Sequence, residues 1–252
     1  MQVMVWMDNT AEVEAIEDHR VRVARQRRSR TRTRLLDAVM VTCAARLKQD
    51  LPTVDDVIVE ADVSRATFYK YFNSVEEAIG VYGHMLMEEM FLSLANLFTP
   101  RDDELSRIVT AIQLFLMRTV IDPQWGGFLA RTAHLARNTE LVDRVLAYLQ
   151  CAREKGLLRF HDALPASSLV IGTVLEAVRH ISRTGLRSRD YVDEVTIMLL
   201  HGLGIERAEA ADLVLDRTIY IRGLAPDRLG WWSDPWTRLP EERVEIRRSM
   251  AG

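Results

Sequence analysis

From Thr33 onward the apolar residues Leu35, Leu36, Val39, Met40, Cys43, Ala44 and Leu47 recur at three-and-four spacing, which predicts an amphipathic helix. Pro52 punctuates the chain, Thr53 is a good N-cap, and Asp55 and Asp56 fall in a first turn where the helix dipole favours acids. A short second helix follows, with Val54, Val57, Ile58 and Ala61 facing inward. Asp62 and Val63 make a tight turn, Asp being among the few non-glycine residues that tolerate a left-handed backbone. Ser64 then caps a third helix, on which Phe68 and Phe72, four apart, share the face that closes a small three-helix core. Ala66, Thr67 and Lys70 point the opposite way, flanked by Tyr69 and Tyr71.

Helical periodicity continues through the rest of the chain, with no convincing strand alternation or repeat. Ser74, with Glu77 three residues on, caps a long helix that runs towards Leu97 and stops before Pro100. Further helices are predicted from Asp102 or Asp103 to about Ile121, from Gln124 to about Ala136, from Glu140 to Lys155, over Ala166 to Thr184, and from Arg189 until Gly202 and Gly204 break the pattern. The expected fold is all-α: an N-terminal three-helix head containing a helix-turn-helix, and a larger helical body. The expected divisions are 1–29, a flexible N-terminal arm, acidic then arginine-rich; 30–73, the head; 74–219, the body; and 220–252, a Trp/Pro-rich tail.

Charge sharpens the picture of the head. The net charge of the 252 residues is only -3, yet residues 1–19 hold five acids and no Lys or Arg, and Arg20 to Arg34 hold eight arginines and no acid. Residues 20–73 as a whole carry 12 Lys and Arg against 6 Asp and Glu. An arginine-rich arm before a small helical unit neutralises phosphates or enters a minor groove, with Arg28, Arg30 and Arg32 nearest the head. The alternative for such a run is a merely solvated charge cluster. The acidic stretch ahead of it has the sign to pair with the arm and compete with DNA.

A short helix, a tight turn and a second short helix form the geometry of a helix-turn-helix reader. Its outward stripe of small, hydroxyl and cationic side chains suits a major groove, with phenol hydroxyls reaching phosphates at the edges and Arg65 able to reach either. An ordinary surface helix explains Phe68 and Phe72 equally well but leaves Tyr69, Tyr71, Lys70 and the arginine run as coincidence.

The string TVDDVIVEADVSRATFYKYFNSVEEAI, Thr53 to Ile79, resembles the DNA-binding signature of the tetracycline-repressor (TetR) family of bacterial transcription regulators. The likeness spans about fifty residues, from the first helix into the fourth. It implies a homodimer on double-stranded DNA and a helical body that usually binds a small ligand. It also implies that Thr53, Ser64, Thr67, Tyr69 and Tyr71 contact phosphate or position the reading helix, and that Arg65, Ala66 and Lys70 lie at base edges. Three positions depart from the family pattern: Asp62 and Ala66 stand where Gly is frequent, and Val75 where a lysine usually makes a phosphate contact.

In the body, aromatics and methionines at helical spacing serve as core or as pocket walls. The resemblance places a ligand cavity in the segment 79–160, among such residues as Tyr82, Met85, Phe91, Phe115, Met117, Trp125, Phe128 and Tyr148, with His84, Gln113 and His134 as polar anchors for an apolar or weakly polar small molecule. The wide apolar faces of the two helices beyond Ala166 exceed what one layer needs, so Val170, Val174, Val178, Ile181, Val195, Met198 and Leu199 are expected at a two-fold four-helix seam, with Glu176, Arg179 and His180 on it or at its edge. The tail, with Trp231, Trp232 and Trp236, is too apolar for plain disorder and is read as a structural clamp, docked on its own body, on the dimer partner or over the ligand entrance, in preference to a partner-binding motif.

The leading functional expectation is a ligand-released repressor on a near-palindromic operator. A body that binds a protein, or nothing, is the alternative. An enzyme is disfavoured: no Gly-rich phosphate loop, metal-ligand pair or G-x-S-x-G elbow occurs, and His84, His134, His161, His180 and His201 are scattered, so no catalytic residue, metal or cofactor is expected. Cys43 and Cys151 lie far apart, the opening lacks a basic n-region, and no apolar run is long enough to span a bilayer, which together point to the cytoplasm, with Met4 or Met7 as alternative starts.

Overall fold

A computed structural model describes residues 9–45, 51–132 and 139–236. Among these residues the secondary structure is entirely helical. The first helix, α1 (Asn9–Ala45), is a single element of 37 residues, where the sequence pattern suggested a flexible arm to residue 29 and a helix only from Thr33. Its sequence has no Gly or Pro and is rich in Ala, Arg and Glu, all strong helix formers, so a missing apolar stripe did not mean a missing helix.

α2 (Val54–Ala61) and α3 (Arg65–Tyr69) complete the head. Thr53 and Asp56 form a reciprocal capping box, the Thr53 amide donating to Asp56 Oδ2 at 2.6 Å and the Asp56 amide to Thr53 Oγ1 at 3.3 Å. The turn passes through Asp62 at φ 48°, the left-handed residue its position demanded, and Ser64 caps α3 by accepting from the Thr67 amide at 3.1 Å. Leu35, Leu36, Val39 and Cys43 of α1 bury against Val57, Ala61, Phe68 and Phe72. Fully burying eight such side chains is the dominant stabilisation of so small a unit, at roughly 1.5 to 3 kcal/mol for each larger one.

α4 (Val75–Leu97), capped by Ser74, leaves the head and enters the body. α5 (Glu104–Ile121), capped by Asp103, is buried along most of its length and touches α4, α6 (Pro123–Thr132), α7 (Thr139–Glu154), α8 (Ala163–Thr184), α9 (Arg189–Gly202) and α10 (Arg207–Arg228). It is the axle of the body. α6 joins body to head, packing on α8 on one side and α1 on the other. Two glycines permit this: a Cβ on Gly126 would lie 2.4 Å from Thr119 Cγ2 and 2.5 Å from Ser182 Oγ, and one on Gly127 would lie 3.6 Å from Ala44 Cβ.

α10 runs straight through the expected boundary at residue 220, and the irregular tail begins only after Arg228. The tail then folds back. The Trp231 indole N–H donates to Ser93 Oγ of α4 at 2.9 Å, the Arg118 guanidinium of α5 lies 4.3 Å from the Trp231 ring centre, and Arg222 of α10 pairs with Asp234 at 2.6 Å. Through residue 236 the segment lies against its own body.

Candidate nucleic-acid interface and ligand cavity

The outward face of α3 carries exposed Arg65, Ala66, Tyr69 and Lys70, with Thr67 and Tyr71 half-buried beside them. Tyr69, 50% exposed, stands edge-on to buried Phe68, ring centres 5.5 Å apart, and this contact helps to fix its ring. Thr53 is engaged in the cap of α2, and Ser64 and Thr67 in that of α3, Ser64 Oγ and Thr67 Oγ1 being 2.8 Å apart, so their hydroxyls hold the two short helices in place. Arg65 donates to Asp55 Oδ1 at 2.6 Å across the turn, and this hydrogen bond with the carboxylate raises its already high pKa.

Two rows of arginine lead along α1 to this surface. Arg25, Arg28 and Arg32 follow the i, i+3, i+7 spacing of one face, and Arg32 ends 5.9 Å from the Phe72 ring centre. Arg27, Arg30 and Arg34 follow the same spacing on another face, and Arg34 donates to the Asp62 carbonyl oxygen at 3.2 Å. Arg34 was not among the residues singled out in the sequence, although its place one turn beyond Arg30 was the available signal. Val75 is 4% exposed and faces the core, so this position presents nothing to a phosphate.

The body contains a cavity of about 510 Å³ between α4, α5, α6, α7 and α8. Its walls are chiefly apolar, including Met87, Phe91, Phe115, Leu129 and Val174, with Arg107 and Arg144 among the few polar residues. Of the pocket residues read from the sequence, Phe91, Phe115 and Tyr148 border it. Trp125, Phe128 and Met117 are wholly buried in the core, His84 is exposed, and Met85 is 47% exposed. Gln113 is buried but faces α10, donating to the Val214 carbonyl at 3.1 Å and Thr218 Oγ1 at 2.6 Å. Tyr82 points into the α1–α6 junction, and His134 lies outside the described residues. These aromatics sit on the junction face of α4 and α6, one helical face away from the cavity.

The expected seam divides in the same manner. Val170, Val174 and Val178 border the cavity, and Ile181 and Leu199 are buried in the chain's own core, because the stripe they form turns inward. Val195 is half-buried and Met198 61% exposed. With them on the outer face lie Leu169, at 43% exposure, and Gly172, Thr173 and Tyr191, which were not read in the sequence. His180 stacks on Tyr191 with ring centres 5.2 Å apart, and Glu176 pairs with Arg179.

A helix-turn-helix head on a helical body with an internal cavity is the class that this geometry defines. No protein-family model matches the chain, and no curated protein matches it by sequence. Solved structures do. RolR without ligand aligns with TM-score 0.57 and 20% identity over 73% of this chain and 96% of that one. RolR in complex with resorcinol aligns with TM-score 0.57 and 23% identity over 75% and 95%. The fatty acid degradation regulator FadR from Bacillus halodurans aligns with TM-score 0.57 and 18% identity over 69% and 97%. The fold that these proteins share with the chain is the one that the tetracycline-repressor resemblance implies. Among the described residues, no helix is long and apolar enough to cross a membrane, and no cluster of His, Cys, Asp and Glu is arranged to hold a metal ion.

Proposed function

We propose that this chain is a transcriptional regulator of the TetR type, a cytoplasmic repressor that binds a near-palindromic operator as a homodimer and is released when a small molecule enters the body. The observation that carries this reading is the continuity between the two sites. Leu129 and Thr132 of α6 border the cavity, while Gly127 of the same helix lies against Ala44 of α1. Anything that reshapes the cavity therefore bears on the helix that anchors the head. Occupancy favours one head orientation only as far as the ligand prefers it, and a spacing that no longer matches two major grooves loses the operator.

The outer face of exposed Leu169, Gly172 and Met198 with half-buried Tyr191 and Val195 supports the dimer, since two copies of α8 and α9 would bury it in a four-helix bundle. On the head, α3 enters the major groove while the arginine rows of α1 engage flanking phosphates. The cavity favours a small-molecule effector over a protein partner, and the resorcinol complex of RolR offers a precedent on the same fold.

Selection of bound fragments from the source genome at roughly physiological salt tests the reading. A recovered palindromic site with half-sites about 34 Å apart is the expected result. Binding without sequence enrichment, collapsing as salt rises, would leave only a basic protein with phosphate affinity.

A further inference from the structure

The cavity has one chemical asymmetry. Arg107, near the start of α5, is among its lining residues beside Phe98. Arg107 is half-buried; among the described residues its shielded Nε has no hydrogen-bond partner, its guanidinium lies 5.4 Å from the Phe98 ring centre, and its one side-chain hydrogen bond is a long 3.5 Å contact from Nη2 to the Thr99 carbonyl. Arg107 forms no ion pair with a carboxylate of the described residues, and Lys155, the next cation, is engaged with Glu104 at 2.5 Å. A cation with a shielded, unsatisfied N–H in an apolar enclosure lacks an acceptor.

The remaining polar groups do not supply it. Thr132 Oγ1 donates to the Phe128 carbonyl at 2.8 Å. Asp143 and Arg144 are exposed on the first turns of α7, with Arg144 lying 4.1 Å from the Phe91 ring centre, and they mark the mouth. From Arg107 the lining continues along α5 to Phe115, about 12 Å away by helical rise, and along α4 from Phe98 to Gly83, about 22 Å. Apart from the Arg107 end, Thr132, Tyr148 and the Asp143–Arg144 mouth, the lining is apolar.

We infer that this cavity binds an elongated, largely apolar molecule ending in a single carboxylate, with that carboxylate on Arg107 and the hydrocarbon directed towards Phe115 and Gly83. The inference rests on the effector reading above and names its ligand class. A planar carboxylate matches the guanidinium fork and brings the acceptor Nε lacks. A phosphate monoester would carry about two charges into a site offering one uncommitted cation.

Decanoate and 1-decanol, equal in chain and differing in the head, are the probes, with direct binding measured calorimetrically in the absence of DNA. Wild-type protein binds decanoate about ten-fold more tightly than 1-decanol, the usual scale of a hydrogen bond to a charged group. Arg107→Met removes that preference and leaves 1-decanol affinity unchanged. Should Arg107→Met fail to fold, Arg107→Lys keeps the charge without the fork and lowers decanoate affinity alone. Equal wild-type affinity for the two probes, no binding of either, or an equal loss for both in the variant overturns the inference. Operator selection on ligand-free protein is scored separately. Failure there with intact acid preference sinks the regulator and spares the site, and the converse sinks the site alone.

Discussion

The Tyr82 phenol donates a hydrogen bond to Met40 Sδ, 2.9 Å away, tying α4 to α1, while its ring stands edge-on to Phe128 of α6 with centres 5.0 Å apart. Three helices meet at this one side chain. A residue whose type suggested a pocket wall is a rivet between head and body.

That burial has a pH signature. Desolvation, aided by Asp37, Asp122 and Glu89 and opposed by Arg118, pushes the Tyr82 hydroxyl up to about 12. A folded pKa above the unfolded value of about 10 means that the folded state holds its proton longer. The contribution is fully present below pH 10 and is lost as pH rises towards 12, an effect of roughly 2 to 3 kcal/mol. Urea midpoints measured from pH 9 to 12 should fall less steeply for Tyr82→Phe than for wild type. Parallel curves would show that Tyr82 is solvated.

Gly126→Ala would place a methyl 2.4 Å from Thr119 Cγ2 and 2.5 Å from Ser182 Oγ. Neither neighbour yields freely, because Thr119 Oγ1 donates to the Phe115 carbonyl at 3.0 Å and Ser182 Oγ to the Val178 carbonyl at 2.8 Å. Despite the helix propensity of alanine, the variant should lose about 1 to 3 kcal/mol in chemical denaturation. A gain in stability would mean that α6 and α8 separate without cost.

For the head, Lys70→Ala and Tyr69→Phe should weaken binding to a selected operator far more than they move the melting temperature, both side chains being exposed. Replacing Arg28, Arg30 and Arg32 together by Ala should act on all sequences alike and reduce the slope of log affinity against log salt by about 2 to 3. A selective loss for the operator alone would place these arginines on bases.

Asp55→Asn releases Arg65 from its 2.6 Å partner and removes an acid beside the outward face of α3. An exposed pair contributes little to stability, so the melt should hardly change. Electrophoretic shift or anisotropy titration should show DNA affinity rising several-fold. Weaker binding would mean that Asp55 orients Arg65 for the groove.

Trp231→Ala removes the donor to Ser93 and the ring beneath Arg118. A loss of roughly 2 to 3 kcal/mol is expected in urea denaturation, and truncation after Arg228 should lower the melting temperature at least as far. An unchanged melt in both would return the tail to the role of a partner-binding motif.

The head was legible almost residue by residue, because caps, a left-handed Asp62 and two phenylalanines four apart are local signals that act at short range. α10 was not, and the reason is compositional. Its buried stripe is Ala210, Val214, Thr218, Ile221 and Ala225, mostly small residues that let it lie close to α5 but give little apolar periodicity. The cavity was legible only as a region. Phe115 and Trp125 are similar in sequence and their rings are 5.9 Å apart, yet one borders empty space and the other is solid core, a distinction set by tertiary packing.

The unbroken course of α1 makes it a lever. Ala44, against Gly127, lies near its fulcrum, and Arg22 stands 22 residues back along the rod, about 33 Å away by helical rise. Each degree of tilt at the fulcrum sweeps that distant turn through about 0.6 Å. Under the proposed function, a tilt of a few degrees, too slight to unseat a core side chain, would carry a phosphate contact of that turn beyond hydrogen-bonding reach, so the length of α1 that would strengthen the grip would also lengthen the arm that breaks it.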